Sequence, residues 1–237
     1  MLVKVFMVMT INDPACPRTP GREVAMKVSR QQAEENREAI VRAASARVRE
    51  QGLSQMSGAE VAKAVGLTHG ALYSHFASKE ALVATAIERA YAESVAAFAG
   101  LTAEQFVERY LSPEHRDDVG AGCPSAALLS EVQRQPEPIR IAFSDGVTRF
   151  ARLIGDRLHV DPARDERVLF AFAAMVGGLA IARAIRDQDP ATSDAMLRAV
   201  ASQLKKTVLR RGGRKRSTAS AAPRRPGPLS PAKARSG

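Results

Sequence analysis

Residues 57–76 read SGAEVAKAVGLTHGALYSHF, and the fold follows from how this stretch is divided. Ser57 is placed to cap a short helix over 58–65, and Thr68 to cap a second running to 75 or 76. Between them, Gly66 and Leu67 turn the chain. Gly66 stands where a positive φ is expected, which a residue without a Cβ adopts at no steric cost. Val61, Ala62, Val65, Leu67, Leu72 and Phe76 supply the apolar inward positions, small where two backbones must come close. The second helix turns Thr68, His69, Gly70, Ala71, Ser74 and His75 outward, all small or polar, which suits approach to base edges. Two short helices joined by a tight turn, one bracing the other in a major groove, make a helix-turn-helix.

Working outward, Ile40, Ala43, Ala44 and Val48 recur at helical spacing in a long helix that Ser29 is expected to cap and Gly52 to stop. Ser78, with Ala81, Leu82 and Ile87, opens a longer helix into the nineties. Further helices are expected over 104–111, 124–133, 136–158, 162–185 and 193–210. The chain is therefore read as all-α: an N-terminal three-helix helix-turn-helix domain (29–77) followed by a helical ligand-binding and dimerisation domain (78–211). Residues 1–28 are expected to be a disordered extension, with Met26 an alternative translation start, and 212–237 a disordered tail.

The composition supports helices: aromatics are 5% of 237 residues and Trp is absent. The net charge of +10 is uneven, since eleven of the 35 Lys and Arg lie from Lys205 onward with no acidic residue among them. The remaining 24 face 25 Asp and Glu, a net of −1, so the basic balance belongs to the tail and does not mark a DNA-binding face. No apolar run of about 18 residues is seen, so no membrane partner is expected. Cys16 and Cys123 form neither a disulfide framework nor a zinc site, which fits a reducing, cytoplasmic, nucleoid-associated location. No His-x-x-x-His pair, GxSxG, P-loop or dinucleotide fingerprint is present, so neither an enzyme nor a cofactor or metal is expected. His115 with Asp117 and Asp118 is read as a solvated loop cluster. A second rival is a non-specific nucleic-acid binder driven by the tail.

The stretch resembles the TetR family. Ser57, Val61–Ala62, Ala64–Val65–Gly66–Leu67, Gly70, Leu72–Tyr73, His75–Phe76 and Lys79–Glu80–Ala81–Leu82 follow its pattern, preceded by IVRAA at Ile40 to Ala44. Arg47 departs from it, standing where the family usually has an apolar residue. The resemblance implies that Ser57, Tyr73 and Lys79 contact phosphates, that Thr68, His69, Gly70 and Ala71 face bases, and that His75 belongs to the same surface. Phe76 is read as packing.

It also implies a homodimer on double-stranded palindromic operator DNA, acting as a repressor released by a small-molecule inducer. Leu169, Phe172, Met175, Val176, Leu179 and Ala182, with Met196, Val200, Leu204 and Leu209, are the expected seam of a four-helix bundle. Gly177 and Gly178 in that stripe are explained equally well by a dimer seam or by packing within one chain. Phe98, Phe106, Tyr110, Cys123, Phe143, Phe150 and Met175 are the candidate pocket for a hydrophobic or aromatic inducer. The alternative is a thiol-based redox or electrophile sensor at Cys123, which precedes Pro124 at a helix start.

Overall fold

The computed structural model describes residues 21–163 and 165–209, with side chains from Ser29 onward. Residues 1–20, including Cys16, and the basic tail 212–237 lie outside the described residues. Ten α-helices follow in order: α1 (Gly21–Gln51), α2 (Gly58–Ala64), α3 (His69–Tyr73), α4 (Lys79–Phe98), α5 (Ala103–Tyr110), α6 (Pro113–Asp117), α7 (Pro124–Val132), α8 (Glu137–Leu158), α9 (Glu166–Ile185) and α10 (Pro190–Leu204). A π-helical turn, Lys205–Leu209, continues α10. Among the described residues there is no strand, as the all-α reading requires.

Short polar side chains start most of these helices. Thr68, Ser78 and Ser112 accept the backbone N–H groups of Ala71, Ala81 and His115 at 3.1–3.2 Å. Thr102 and Gln105 form a reciprocal capping box, which satisfies two of the four orphan donors of α5. Three boundaries differ from expectation. Helix α1 spans Gly21–Gln51, so Ser29 lies inside it and not at its start. Asp165 starts α9 by accepting the Arg167 N–H, and Asp189 starts α10 by accepting that of Thr192. Helix α6 was not foreseen; Ser112 followed by Pro113 is its start signal, but five residues carry no period.

One apolar core runs through the chain. In the N-terminal domain, Ile40, Ala44, Val48, Leu53, Met56, Val61, Leu72 and Phe76 are buried together. Arg37 lies over the Phe76 ring, 5.1 Å from its centre. Arg47 keeps its guanidinium at the core edge by pairing with Glu60 of α2 at 3.3 Å, so the polar departure is absorbed by a cross-helix ion pair.

Helix α4 runs from this domain along α8, where Gly146 leaves room for the Tyr91 ring. Helices α9 and α10 pair on the other side. Of the helices in the described residues, α9 alone is long and apolar enough, by length and composition, to cross a membrane. Here it is packed by α7, α8 and α10 along one side.

Candidate nucleic-acid interface and regulatory core

The turn between α2 and α3 closes as a Schellman motif. Leu67 N–H donates to the Ala62 carbonyl at 2.9 Å and Gly66 N–H to that of Lys63 at 3.2 Å. This satisfies two carbonyls that the end of α2 would otherwise orphan. Gly66 has φ +72°, the expected left-handed conformation. Val61, Ala62 and Leu72 are fully buried behind this turn, and Val65 and Leu67 pack at its rim.

The residues expected at DNA occupy one surface in part. His69 and Gly70 are exposed on α3, with nothing within 4 Å of a Cβ built at Gly70. Ala71 is half-buried. Thr68 uses its oxygen to cap α3, which leaves its hydroxyl hydrogen to donate. The tyrosine ring of Tyr73 packs edge-on against His69, with centroids 4.9 Å apart.

A Cβ at Gly58 would meet the Tyr73 hydroxyl oxygen at 2.9 Å. The phenol therefore lies on the first turn of α2, beside Ser57. Ser57 is extended at the N-cap and makes no side-chain cap bond. Two expected phosphate contacts thus converge on one helix start because residue 58 has no side chain.

Lys79 is exposed at the first position of α4, where a cation opposes the helix dipole. That placement does nothing for the helix and suits an external anion. His75 is placed differently from the expectation. Helix α3 ends at Tyr73, and His75 is half-buried in the turn after it, its N–H on the Leu72 carbonyl.

In the C-terminal half, four of the seven candidate pocket residues form one aromatic cluster. Phe98, Phe106, Tyr110 and Phe150 are buried with ring centroids 5.0–6.2 Å apart. Met175 lines, with Phe106, an apolar crevice of about 10 Å³, room for one water molecule. Phe143 sits apart, against Tyr91. The rings therefore fill the space that a ligand would take.

His115 is not a solvated loop residue. Its Nε2 accepts the Cys123 N–H at 3.0 Å, so the proton is on Nδ1, which donates to the Tyr110 carbonyl at 2.7 Å. Burial lowers its pKa to about 4, against a smaller opposing effect of the Tyr110 carbonyl. The neutral ring thus ties the end of α5 to the start of α7. Cys123 is fully buried beside it.

Two links join this core to the DNA-binding domain, and neither was foreseen. Glu131 of α7 receives the Leu53 and Ser54 N–H groups at 3.1 and 3.0 Å and the Ser54 hydroxyl. Gly52, at φ +83°, leaves the space that its carboxylate fills. The buried guanidinium of Arg49 donates to the Gly122 carbonyl at 3.3 Å and to Glu93 at 2.7 Å. Burial raises the Glu93 pKa, but Arg89 and Arg49 together bring it below the ordinary value. No local sequence signal marks Glu131, because its partners lie more than seventy residues away.

A helix-turn-helix of this geometry defines a DNA-binding protein of the all-α class. Residues 40–86 match the profile described as "Bacterial regulatory proteins, tetR family". Residues 40–86 thus carry the DNA-binding domain of this family of transcriptional regulators.

No curated protein sequence matches the chain. Among solved structures, the reduced form of NemR from E. coli is similar at 20% identity and TM-score 0.57, covering 72% of this chain and 96% of its own. A TetR-family regulator from Agrobacterium tumefaciens is similar at 18% and 0.56, covering 72% and 98%. The fatty acid degradation regulator FadR from Bacillus halodurans follows at 16% and 0.51, covering 71% and 94%. These likenesses extend the shared fold beyond the N-terminal domain.

Proposed function

We propose that the protein is a repressor that binds palindromic operator DNA as a homodimer and leaves it when a small molecule enters the C-terminal domain. The observation that carries this reading is the Schellman-turned α2–α3 pair with the Tyr73 phenol seated on the Ser57–Gly58 helix start. In the dimer, Thr68, His69, Gly70 and Ala71 face bases in two successive major grooves, ~34 Å apart. Ser57, Tyr73 and Lys79 hold phosphates, and His75 borders that surface.

The dimer forms through α9, and of the stripe that the sequence suggested it uses Leu169. Met175, Val176, Leu179 and Ala182 are buried within the chain, so they are core. Leu169, Phe170 and Ile181 are instead 60%, 55% and 49% exposed, in line with Ala173, Gly177 and Ala184. Gly178 packs on Val200 in the same chain, whereas a Cβ at Gly177 meets nothing. The two glycines therefore divide the two roles, Gly178 to internal packing and Gly177 to the seam. An exposed apolar stripe of this kind seeks a partner, and a second copy supplies a self-complementary one.

Release follows when the inducer favours a conformer with different spacing of the recognition helices, by as much as its affinity differs between the two states. In that conformer α4 swings, and the Glu131 and Arg49 links change with it. The thiol-sensing alternative requires α7 to open first, because Cys123 is 0% exposed. Sequencing of genomic DNA pulled down with the protein tests the reading. A palindrome with half-sites one helical turn apart is expected; fragments sharing no sequence contradict it.

A further inference from the structure

Two hydrogen-bond donors in the regulatory core have no oxygen or nitrogen acceptor. The Tyr110 hydroxyl is fully buried, and its polar neighbour is the Cys123 thiol, a weak partner. Arg183 of α9 donates Nε to the Arg116 carbonyl at 3.1 Å and Nη2 to the His115 carbonyl at 2.9 Å, but its buried Nη1 donates to nothing. No carboxylate among the described residues hydrogen-bonds to this guanidinium. Its charge acts instead on the Tyr110 phenol and the Cys123 thiol, and both groups act on it in return. Gly122 makes the approach possible, since a Cβ there would strike the guanidinium.

His115 links the two groups, its ring packed on Tyr110 and its carbonyl accepting from Arg183. Buried donors without an acceptor are costly, and a cation and a phenol gain most from an anionic one. Behind them stand the rings of Phe98, Phe106 and Phe150, which close the space in this conformation. We propose that Tyr110 Oη and Arg183 Nη1 anchor the carboxylate of a small organic acid, whose apolar body displaces part of this ring packing. His115, with both nitrogens committed to backbone groups, positions the anchor and does not touch the ligand. The Gly122 carbonyl, against the same guanidinium's turn, is the one that Arg49 holds, so an occupied anchor acts on α1 directly.

This assignment rests on the reading of the protein as ligand-responsive and adds the class of ligand. It also gives the pocket a charged end that a purely hydrophobic inducer would not need. The test is calorimetry on the full chain without DNA, using benzoate and hexanoate as probes and benzamide and hexanamide as their uncharged counterparts. At least one acid is expected to bind at millimolar concentration, with its uncharged counterpart at least about tenfold weaker. Tyr110→Phe and Arg183→Lys are each expected to weaken that acid about tenfold or more. Arg183 also braces α6, so Tyr110→Phe, which leaves the Arg183 hydrogen bonds in place, is the deciding variant, with circular dichroism confirming the fold.

Failure of both acids to bind overturns the proposal, as do equal binding of acid and uncharged counterpart or undiminished binding by Tyr110→Phe. Because no DNA is present, these results stand apart from the function reading. Acid binding that leaves operator affinity unchanged keeps the site and refutes the inducer role.

Discussion

Glu131→Ala is the perturbation that bears most directly on communication between the domains. The carboxylate reaches from α7 to the loop before the helix-turn-helix, accepting from three donors of Leu53 and Ser54. Ser54 is exposed, so water replaces the acceptor for its two donors at little cost. Leu53 is buried, and its N–H loses a charge-assisted bond, a difference of about 2 kcal/mol. For a chain of this size that lowers Tm by about 4–8 °C. Nothing in the α2–α3 turn is touched, so operator affinity is expected to change little while the inducer-dependent loss of binding shrinks.

Differential scanning calorimetry gives the first quantity, and anisotropy of labelled operator with and without inducer gives the second. Unchanged stability would refute the buried hydrogen bond as a contributor. Full release by inducer in the variant would refute Glu131 as a coupling element.

Gly66→Ala introduces a side chain at φ +72° into open space, so its cost is backbone strain alone, about 1–2 kcal/mol by urea denaturation. His115 has a folded pKa near 4, below the 6.5 of the free side chain, so the unfolded chain binds more protons between those values. Stability should therefore rise from pH 4 to 6.5, by up to about 3 kcal/mol, and His115→Gln should remove that contribution. Gly177→Arg places a charge on the exposed α9 stripe, where a Cβ meets nothing of its own chain, so light scattering should find a dimer for the wild type and folded monomers for the variant.

What could be read from the sequence depended on how local the cause was. The α2–α3 unit was legible because its apolar spacing, Gly66 and Thr68 act within a few residues of one another. Helix α6 escaped because one turn shows no period, and Ser29 misled because a residue that often caps lies inside a longer helix. Phe98, Phe106, Tyr110 and Phe150 were read from the sequence as lining a pocket, and only the fold shows that they pack together and close the space. The α9 stripe was rotated because a helix apolar on all sides gives no phase to distinguish core from seam. Glu131, Arg49 and Arg183 were invisible as functional residues, since each acts on groups far away in the chain, and two of them on backbone carbonyls common to every residue.

The central claim is that the α2–α3 surface binds operator through phosphates held at two helix starts. Anisotropy titration of the selected operator over a range of salt concentrations, for the wild type and for Lys79→Ala, tests it most directly. The account predicts weaker binding by the variant and a shallower dependence of log K on log salt, by about two units for the two Lys79 contacts of a dimer. Identical affinity and slope for both proteins would contradict it.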